Sequence, residues 1–165
     1  MRNLLLSIKE PVEPVATMPT VQLLFDDAYI KTAIDLVKRS RSSIYICAYA
    51  WRWYENAPEK LIQQFNLEVA TAVKRGVTVK AILDQRTQAT LLQGYGIPSK
   101  VYPTNTAMHT KAILIDEKQL LIGSHNLTER GTIENFEISM ATNDPSCCLL
   151  FNDYFQRMWS NYASN

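Results

Sequence analysis

Four polar side chains form two spaced pairs that flank two apolar runs of the chain. His109 and Lys111 are two positions apart, and Ser124 and Asn126, which follow Gly123, are again two positions apart. An imidazole attacks as a nucleophile or carries a proton, a lysine supplies a positive charge, and a hydroxyl and an amide donate hydrogen bonds. Together these groups suit a small oxyanion such as phosphate. Buried without partners they would cost about 1–3 kcal/mol each, so they must satisfy one another or hold a ligand.

The residues around these two pairs predict a β-hairpin. The apolar runs 110–115 and 119–123 are joined by a short polar segment at 116–118, which is typical of two strands and a tight turn. Side chains two apart on a strand point to the same face. Each pair should therefore project together, and the hairpin would bring both pairs to one site.

Two other polar residues near the pairs have different expected places. Asp116 lies an odd number of positions from His109, so it should face away from the site or sit in the turn. Capping that turn and a direct chemical role are both open for it. His125 lies between Ser124 and Asn126, and strand alternation turns it to the opposite face. We therefore interpret His125 as structural, or as a residue at the rim of the site, rather than as catalytic.

Composition describes an ordinary globular domain. The 165 residues are 47% hydrophobic and 20% charged with a net charge of +1, which fits one domain with a substantial core and excludes an overall basic field. The three cysteines are odd in number and include an adjacent pair, so reduced thiols are expected. The histidines and carboxylates show no spacing typical of a metal site.

Apolar runs and helical patterns alternate along the chain and predict the scaffold. An extended segment, residues 1–20, precedes a single domain, residues 21–165. The first half follows a β-α-β-α-β pattern, which favours parallel strands, and the second half adds antiparallel strands. We expect an α/β fold: a mixed, mostly parallel β-sheet flanked by helices on both faces. The boundary signals are Asp26-Asp27 and Pro58 as helix starts, Gly76 as a helix end, and Pro145 as the start of the last helix.

The spaced motif resembles the signature of the phospholipase D superfamily. Every signature position is filled at the family spacing: His109-x-Lys111-x4-Asp116-x6-Gly123-Ser124-x-Asn126. Asn135-Phe136-Glu137 is similar to the downstream family segment whose glutamate supports the active-site histidine; an exposed strand carboxylate is the plainer interpretation of Glu137. The resemblance runs from about Val21 to the C-terminus, and within the family it is strongest to the small, single-motif bacterial endonucleases, which are homodimers.

The resemblance implies a two-step displacement at phosphorus without metal or cofactor. One histidine forms a phosphohistidine while a second protonates the leaving oxygen. Lys111, Ser124 and Asn126 would bind the phosphate, and Asp116 and Glu137 complete the implied catalytic set. Since the motif occurs once, the second imidazole would be His109 of another subunit, which a symmetric homodimer supplies.

The resulting hypothesis is a metal-independent endonuclease that hydrolyses DNA, or alternatively RNA. A lipid phosphodiesterase or phosphatidyltransferase of the same superfamily is the alternative, and a non-catalytic nucleic-acid-binding module is a second one. No stable membrane association is expected, because no anchor, polybasic patch or amphipathic helix stands out. The segment 51–54 (WRWY) suits contact with bases or lipid as well as ordinary packing, and Arg86 is interpreted as solvated rather than as phosphate-binding. The expected compartment is the cytoplasm, or the periplasm or exterior if an export signal has been removed.

Overall fold

The computed structural model describes residues 19–84, 86–102 and 107–161, without the side chains of residues 86–88. Residues 1–18 of the expected lead segment and the side chain of Arg86 lie outside the described residues. In chain order the elements are β1 (Val21–Phe25), α1 (Asp27–Arg39), β2 (Ser43–Ala48), α2 (Leu61–Lys74), β3 (Thr78–Leu83), α3 (Arg86–Gly94), β4 (Ser99–Val101), β5 (Ala112–Ile115), β6 (Gln119–Gly123), β7 (Ile138–Thr142) and α4 (Pro145–Asn161).

Within the described residues, the seven strands form one mixed sheet in the order β1-β7-β6-β5-β2-β3-β4. The pairs β2–β3 and β3–β4 are parallel, and the four pairs that join β1, β7, β6, β5 and β2 are antiparallel. The mixed sheet with flanking helices is as predicted. The position of β1 is not, because it pairs with β7 at the far edge instead of joining β2. Parallel pairing is confined to β2, β3 and β4, so the sheet is mostly antiparallel and not mostly parallel as expected. The reason is that a β-α-β pattern does not specify which strand its first member will pair with.

The sheet has a hydrophobic core on each face. Alternate residues of β2 face opposite ways: Ile44 and Ile46 pack into the core under α1, α2 and α3. Tyr45 and Cys47 pack into the core under α4, with Phe155 stacked on Tyr45. The prediction of helices on both faces is therefore confirmed: among the described residues, α1, α2 and α3 cover one face and α4 covers the other. None of the described helices has the length and apolar character needed to cross a membrane.

Helix α2 begins later than predicted and ends as predicted. It starts at Leu61, because Pro58 lies in turns that precede the helix. In one of these turns Lys60 N–H donates to Ala57 O at 3.2 Å. At the other end Gly76 has φ +88°, and Val77 N–H donates to Ala72 O at 3.0 Å. This is a Schellman ending, which needs a residue with positive φ after the helix. The prediction that Gly76 ends the helix is confirmed.

The predicted hairpin is formed by β5 and β6. Lys118 N–H donates to Ile115 O at 3.0 Å, and both Asp116 and Glu117 adopt positive φ, 52° and 56°. Two consecutive positive φ values match the right-handed twist of the strands that a tight turn connects.

Candidate active site

The predicted site lies at one end of the sheet, where β2 and β6 finish and β5 and β7 begin. The register pairs Ala112 with both Cys47 and Ile122, and Gly123 with Ser139. Just beyond these pairs, Gly123 N–H donates to Lys111 O at 3.2 Å, and Ser124 N–H donates to Ile138 O at 3.1 Å. The fold thus gathers segments 109–111, 124–126 and 135–137.

His109 and Lys111 are in direct contact as predicted, although both precede β5, which begins at Ala112 and not at Thr110. Lys111 Nζ lies 3.2 Å from His109 Nε2 and donates to His109 O at 2.9 Å. The Tyr49 ring, just beyond β2, lies 4.8 Å from the imidazole and 5.3 Å from Nζ. Burial of Lys111 lowers the pKa of its ammonium, and the negative charge of Glu137 partly opposes that shift. A cation and an imidazole are therefore held side by side in a partly desolvated place.

Ser124 and Glu137 form the second half of the site. Ser124 Oγ donates to a carboxylate oxygen of Glu137, and Asn135 Nδ2 donates to the other at 3.0 Å. Burial would raise the pKa of Glu137, but these two hydrogen bonds, with the nearby His125 and Lys111, outweigh it and hold the pKa below its usual value. The carboxylate is therefore ionised and oriented. Its direct partners are Ser124 and Asn135, whereas the resemblance assigned it to the histidine.

Asn126 carries a buried polar atom that is left unpaired. Its Oδ1 has no hydrogen-bond partner among the described residues, an arrangement that costs about 1–3 kcal/mol unless a ligand or water completes it. A single π-helical turn, Arg130–Glu134, packs against Asn126. A Cβ on Gly131 would lie 2.6 Å from Asn126 O, so glycine is required for this close approach. Such π-helical turns are frequent at functional sites.

Gly123 is required for a close approach between strands. A Cβ at this position would come within 2.4 Å of Ser139 Cα and 2.2 Å of Ser139 Oγ. Its role is therefore to let β6 and β7 meet tightly just before Ser124. The structure gives a steric reason for the glycine that precedes the serine in the motif.

Asp116 is not brought to the site. It follows β5, about 17 Å of extended chain from Lys111 at roughly 3.3 Å per residue. Its carboxylate accepts hydrogen bonds from the N–H groups of Arg41, Ser42 and Ser43 at 2.7–3.1 Å and from the Ser42 hydroxyl at 2.9 Å. Burial raises its pKa, but these bonds more than offset that and lower it overall. Its place in the catalytic set is corrected, since the residue ties the β5–β6 turn to the start of β2.

His125 is structural in this fold. It is 1% exposed, stacks on Tyr29 at a ring distance of 4.3 Å, and contacts Ser139 Oγ at 2.6 Å and Asp26 O at 3.0 Å. Burial lowers the pKa of His125, and Asp26 and Glu137 partly oppose this shift.

Asp26 stands at the N-cap position of α1, but its carboxylate makes no capping hydrogen bond within the described residues. The predicted helix start is confirmed, since α1 begins at Asp27, but the Asp26 carboxylate accepts from Glu137 N–H and does not cap the helix.

The aromatic segment 51–54 is used mainly for packing. Trp51 is fully buried and donates from Nε1 to Asn66 Oδ1 at 2.6 Å. Trp53 stacks on Tyr95 at 4.0 Å, while Arg52 is exposed. Packing, one of the two interpretations left open for this segment, accounts for Trp51 and Trp53.

Tyr49 and Asp84 were not anticipated as parts of the site. Tyr49 continues the face of Tyr45 and Cys47, so strand alternation would have pointed to it. Asp84 follows β3, and its Oδ2 accepts from Met108 N–H at 2.7 Å, which holds the residue before His109. The position of an acidic residue directly after a buried strand was the sequence signal that could have pointed to Asp84.

Within the described residues, no three His, Cys, Asp or Glu side chains converge as metal ligands.

Comparison with known proteins gives one matching family. A family model described as a cardiolipin synthase, phospholipase D-like domain, matches residues 33–159. The mitochondrial cardiolipin hydrolase of Mus musculus is 29% identical over 129 residues, which cover 74% of this chain and 54% of that protein. The DISARM protein DrmC of Bacillus paralicheniformis is 27% identical over 165 residues, covering 92% and 65%. The chain spans about half to two thirds of the length of these curated relatives.

A solved structure confirms the fold. Nuc from Salmonella typhimurium, described as a phospholipase D family member, superposes with a TM-score of 0.73 over 88% of this chain and 99% of that chain. The two sequences are 23% identical, so this likeness concerns the fold alone.

Proposed function

The chain belongs to the phospholipase D-like family, and from this premise we propose that it is a metal-independent phosphodiesterase that cleaves nucleic acid, most directly DNA. The observation that supports the proposal is the meeting of His109 with Lys111 beside Ser124, all at one end of the sheet. This arrangement offers a nucleophile, a fixed cation and a hydroxyl within one surface. The preference for nucleic acid follows the resemblance of the single-copy motif to small endonucleases.

In the proposed first step, an imidazole nitrogen of His109 attacks the phosphorus atom. A P–N bond forms as the P–O bond to the leaving group breaks, and the leaving oxygen takes a proton from a second imidazole. In the second step that imidazole accepts a proton from water, whose oxygen attacks phosphorus and breaks the P–N bond. Lys111 must turn from His109 toward a non-bridging phosphate oxygen, which it can stabilise as a point charge.

We assign the second imidazole to His109 of another copy of the chain. His125, the other histidine, is buried and engaged on both ring nitrogens. An apolar patch beside the site supports a paired assembly: Phe136 is 99% exposed, and Phe25 and Ile138, which are cross-strand partners, are 56% and 48% exposed. Leu23 and Val21 continue the same face of β1 and are also exposed. Exposed apolar patches of this kind mark interaction sites, and a two-fold axis through the site would bring both His109 side chains together.

A lipid phosphodiester is the second candidate substrate. The family model and the mouse relative carry cardiolipin in their names, and the apolar patch beside Glu137 could lie against acyl chains. The chemistry at phosphorus would be the same for both substrates. The two candidates therefore differ in what the surface around the site contacts.

The test uses purified protein in EDTA with DNA, RNA and vesicles that contain cardiolipin. We expect cleavage of nucleic acid that EDTA does not inhibit and that His109→Ala abolishes. Rapid quenching should trap His109 bonded to a phosphoryl group that still carries the half of the substrate that has not left, identified by peptide mass. Activity confined to the vesicles would favour the lipid substrate. No turnover of any of the three, with identical results for His109→Ala, would contradict the proposed function.

A further inference from the structure

The turn between β1 and α1 holds the backbone of Glu137 from both sides. Asp26 N–H donates to Glu137 O at 3.1 Å, and Asp26 Oδ1 accepts from Glu137 N–H at 3.2 Å. One residue thus satisfies both main-chain polar groups of the glutamate whose carboxylate bonds Ser124. The two partners lie 111 positions apart in sequence.

Asp26 takes this position in an unfavourable conformation. Its backbone has φ +47° and ψ −125°, a region that L residues with a side chain rarely occupy and that glycine adopts freely. An aspartate there must be held by its surroundings, and such outliers concentrate at functional sites. Because glycine would serve a simple turn better, the side chain must contribute something that glycine lacks. The contribution that the structure shows is the hydrogen bond from Glu137 N–H to Oδ1.

His125, from the middle of the motif, fixes the same turn from the other side. A carbonyl oxygen only accepts hydrogen bonds. His125 Nε2 therefore carries the ring hydrogen, and this N–H donates a hydrogen bond to Asp26 O at 3.0 Å. The other ring nitrogen then accepts from Ser139 Oγ at 2.6 Å. Tyr29 N–H also donates to Asp26 O, at 3.3 Å, and the Tyr29 ring stacks on the imidazole. The strained residue is therefore locked by groups from α1, β7 and the segment after β6.

We propose that Asp26 is a positioning residue for the active site, which holds the Glu137 backbone so that its carboxylate meets Ser124. It does not touch the reacting atoms, and it acts only through Glu137. The proposal rests on the proposed phosphodiesterase function. A plain N-cap role for Asp26 would direct its carboxylate to the first turn of α1, whereas the carboxylate accepts from Glu137 N–H just before β7.

Two substitutions separate the side chain from the backbone conformation. Asp26→Gly permits the φ value and removes the acceptor, whereas Asp26→Asn keeps an oxygen acceptor and tolerates positive φ better than other residues do. We expect Asp26→Gly to fold with little change in stability, because relief of strain offsets the lost bond. Its kcat should fall about 10- to 100-fold with KM nearly unchanged, the scale of a misplaced group at an active site. Asp26→Asn should retain kcat within about threefold, since it can rebuild the hydrogen bond.

Amide hydrogen exchange of the full chain supplies a readout that needs no turnover. Exchange at Glu137 N–H should be about tenfold faster in Asp26→Gly than in the wild type or in Asp26→Asn, the factor expected for losing one hydrogen bond. Asp27→Asn, a change in the neighbouring exposed carboxylate that pairs with Lys31, is the matched control and should alter neither readout.

The outcomes separate this proposal from the proposed function. The proposal is overturned if Asp26→Gly keeps wild-type kcat, if only KM changes, if Asp26→Asn loses as much kcat as Asp26→Gly, or if exchange at Glu137 is the same in all variants. Should the wild type turn over no phosphodiester, the proposed function fails by itself. Faster exchange in Asp26→Gly would then still support the hold on Glu137, and unchanged exchange would overturn it.

Discussion

Replacement of Asp116 by asparagine should weaken the fold while leaving the chemistry intact. The carboxylate accepts hydrogen bonds from four donor groups at the start of β2 and just before it, three of them the main-chain N–H groups of Arg41, Ser42 and Ser43. Asparagine tolerates the φ of 52° at this position, so the substitution changes charge and hydrogen bonding and not backbone shape. The substitution also places an amide NH2 group, itself a donor, against the N–H and hydroxyl donors that the carboxylate accepts from.

The expected loss can be worked out from these contacts. A hydrogen bond to a charged group contributes about 1.5–3 kcal/mol. The full set would exceed that, but the carboxylate is partly exposed and screened by solvent, and asparagine retains one acceptor. We therefore expect Asp116→Asn to lower the free energy of unfolding by about 1–3 kcal/mol at pH 7.

The pH dependence has a definite sign. The hydrogen bonds hold the folded pKa of Asp116 below its ordinary value of 3.8. A carboxyl whose pKa is lowered by folding stabilises the protein above its unfolded pKa, and this contribution is lost as pH falls through the folded pKa. The difference in stability between wild type and Asp116→Asn should thus be full at pH 7 and shrink below about pH 4.

Urea unfolding at pH 7, 4 and 2.5, with kcat per folded molecule measured at pH 7, tests this account. Glu117→Gln is the matched control, because it removes an exposed carboxylate from the same turn and should leave stability nearly unchanged. We expect kcat of Asp116→Asn to stay within about twofold of wild type, because the residue makes no contact with the reacting groups. The reasoning is refuted if kcat falls by orders of magnitude without a loss of stability, or if the stability difference does not depend on pH.

Two further predictions concern the motif. Gly123→Ala should destabilise the fold by about 1–3 kcal/mol, because its Cβ would overlap Ser139; thermal unfolding should show no such loss for Gly94→Ala, where nothing lies within 4 Å. Lys111→Met should keep or raise stability, since it removes a buried charge, and should lower kcat about 10²- to 10³-fold. An active Lys111→Met protein would show that this charge does not stabilise the reacting phosphate.

Local patterns in the sequence were sufficient to predict the elements that present the site. The contact of His109 with Lys111 and the polar turn at 116–118 join residues that are close in sequence, and both are found in the structure. The helix end at Gly76 could also be predicted, because the chain needs positive φ there and glycine adopts it readily.

Contacts between distant segments could not be predicted in the same way. The hydrogen bonds between Asp26 and Glu137 join a strained turn to the residue just before β7, 111 positions away. Nothing in the local sequence distinguishes Asp26 from an ordinary N-cap. The structure pairs β1 with β7 and places Phe25 opposite Ile138. The β-α-β pattern at the start of the chain does not indicate this partner for β1. Asp116 was ambiguous for a related reason, since its partners at the start of β2 become neighbours only when the sheet forms.

The central claim is that one active site uses His109 of two chains. Wild type and His109→Ala can be mixed in varied proportions, unfolded and refolded together, and checked by native mass measurement for dimers. If a site needs both histidines, phosphodiesterase activity should fall with the square of the wild-type fraction, to about a quarter in an equal mixture. A linear fall, to about half in that mixture, would show that each chain works alone and would contradict the shared site.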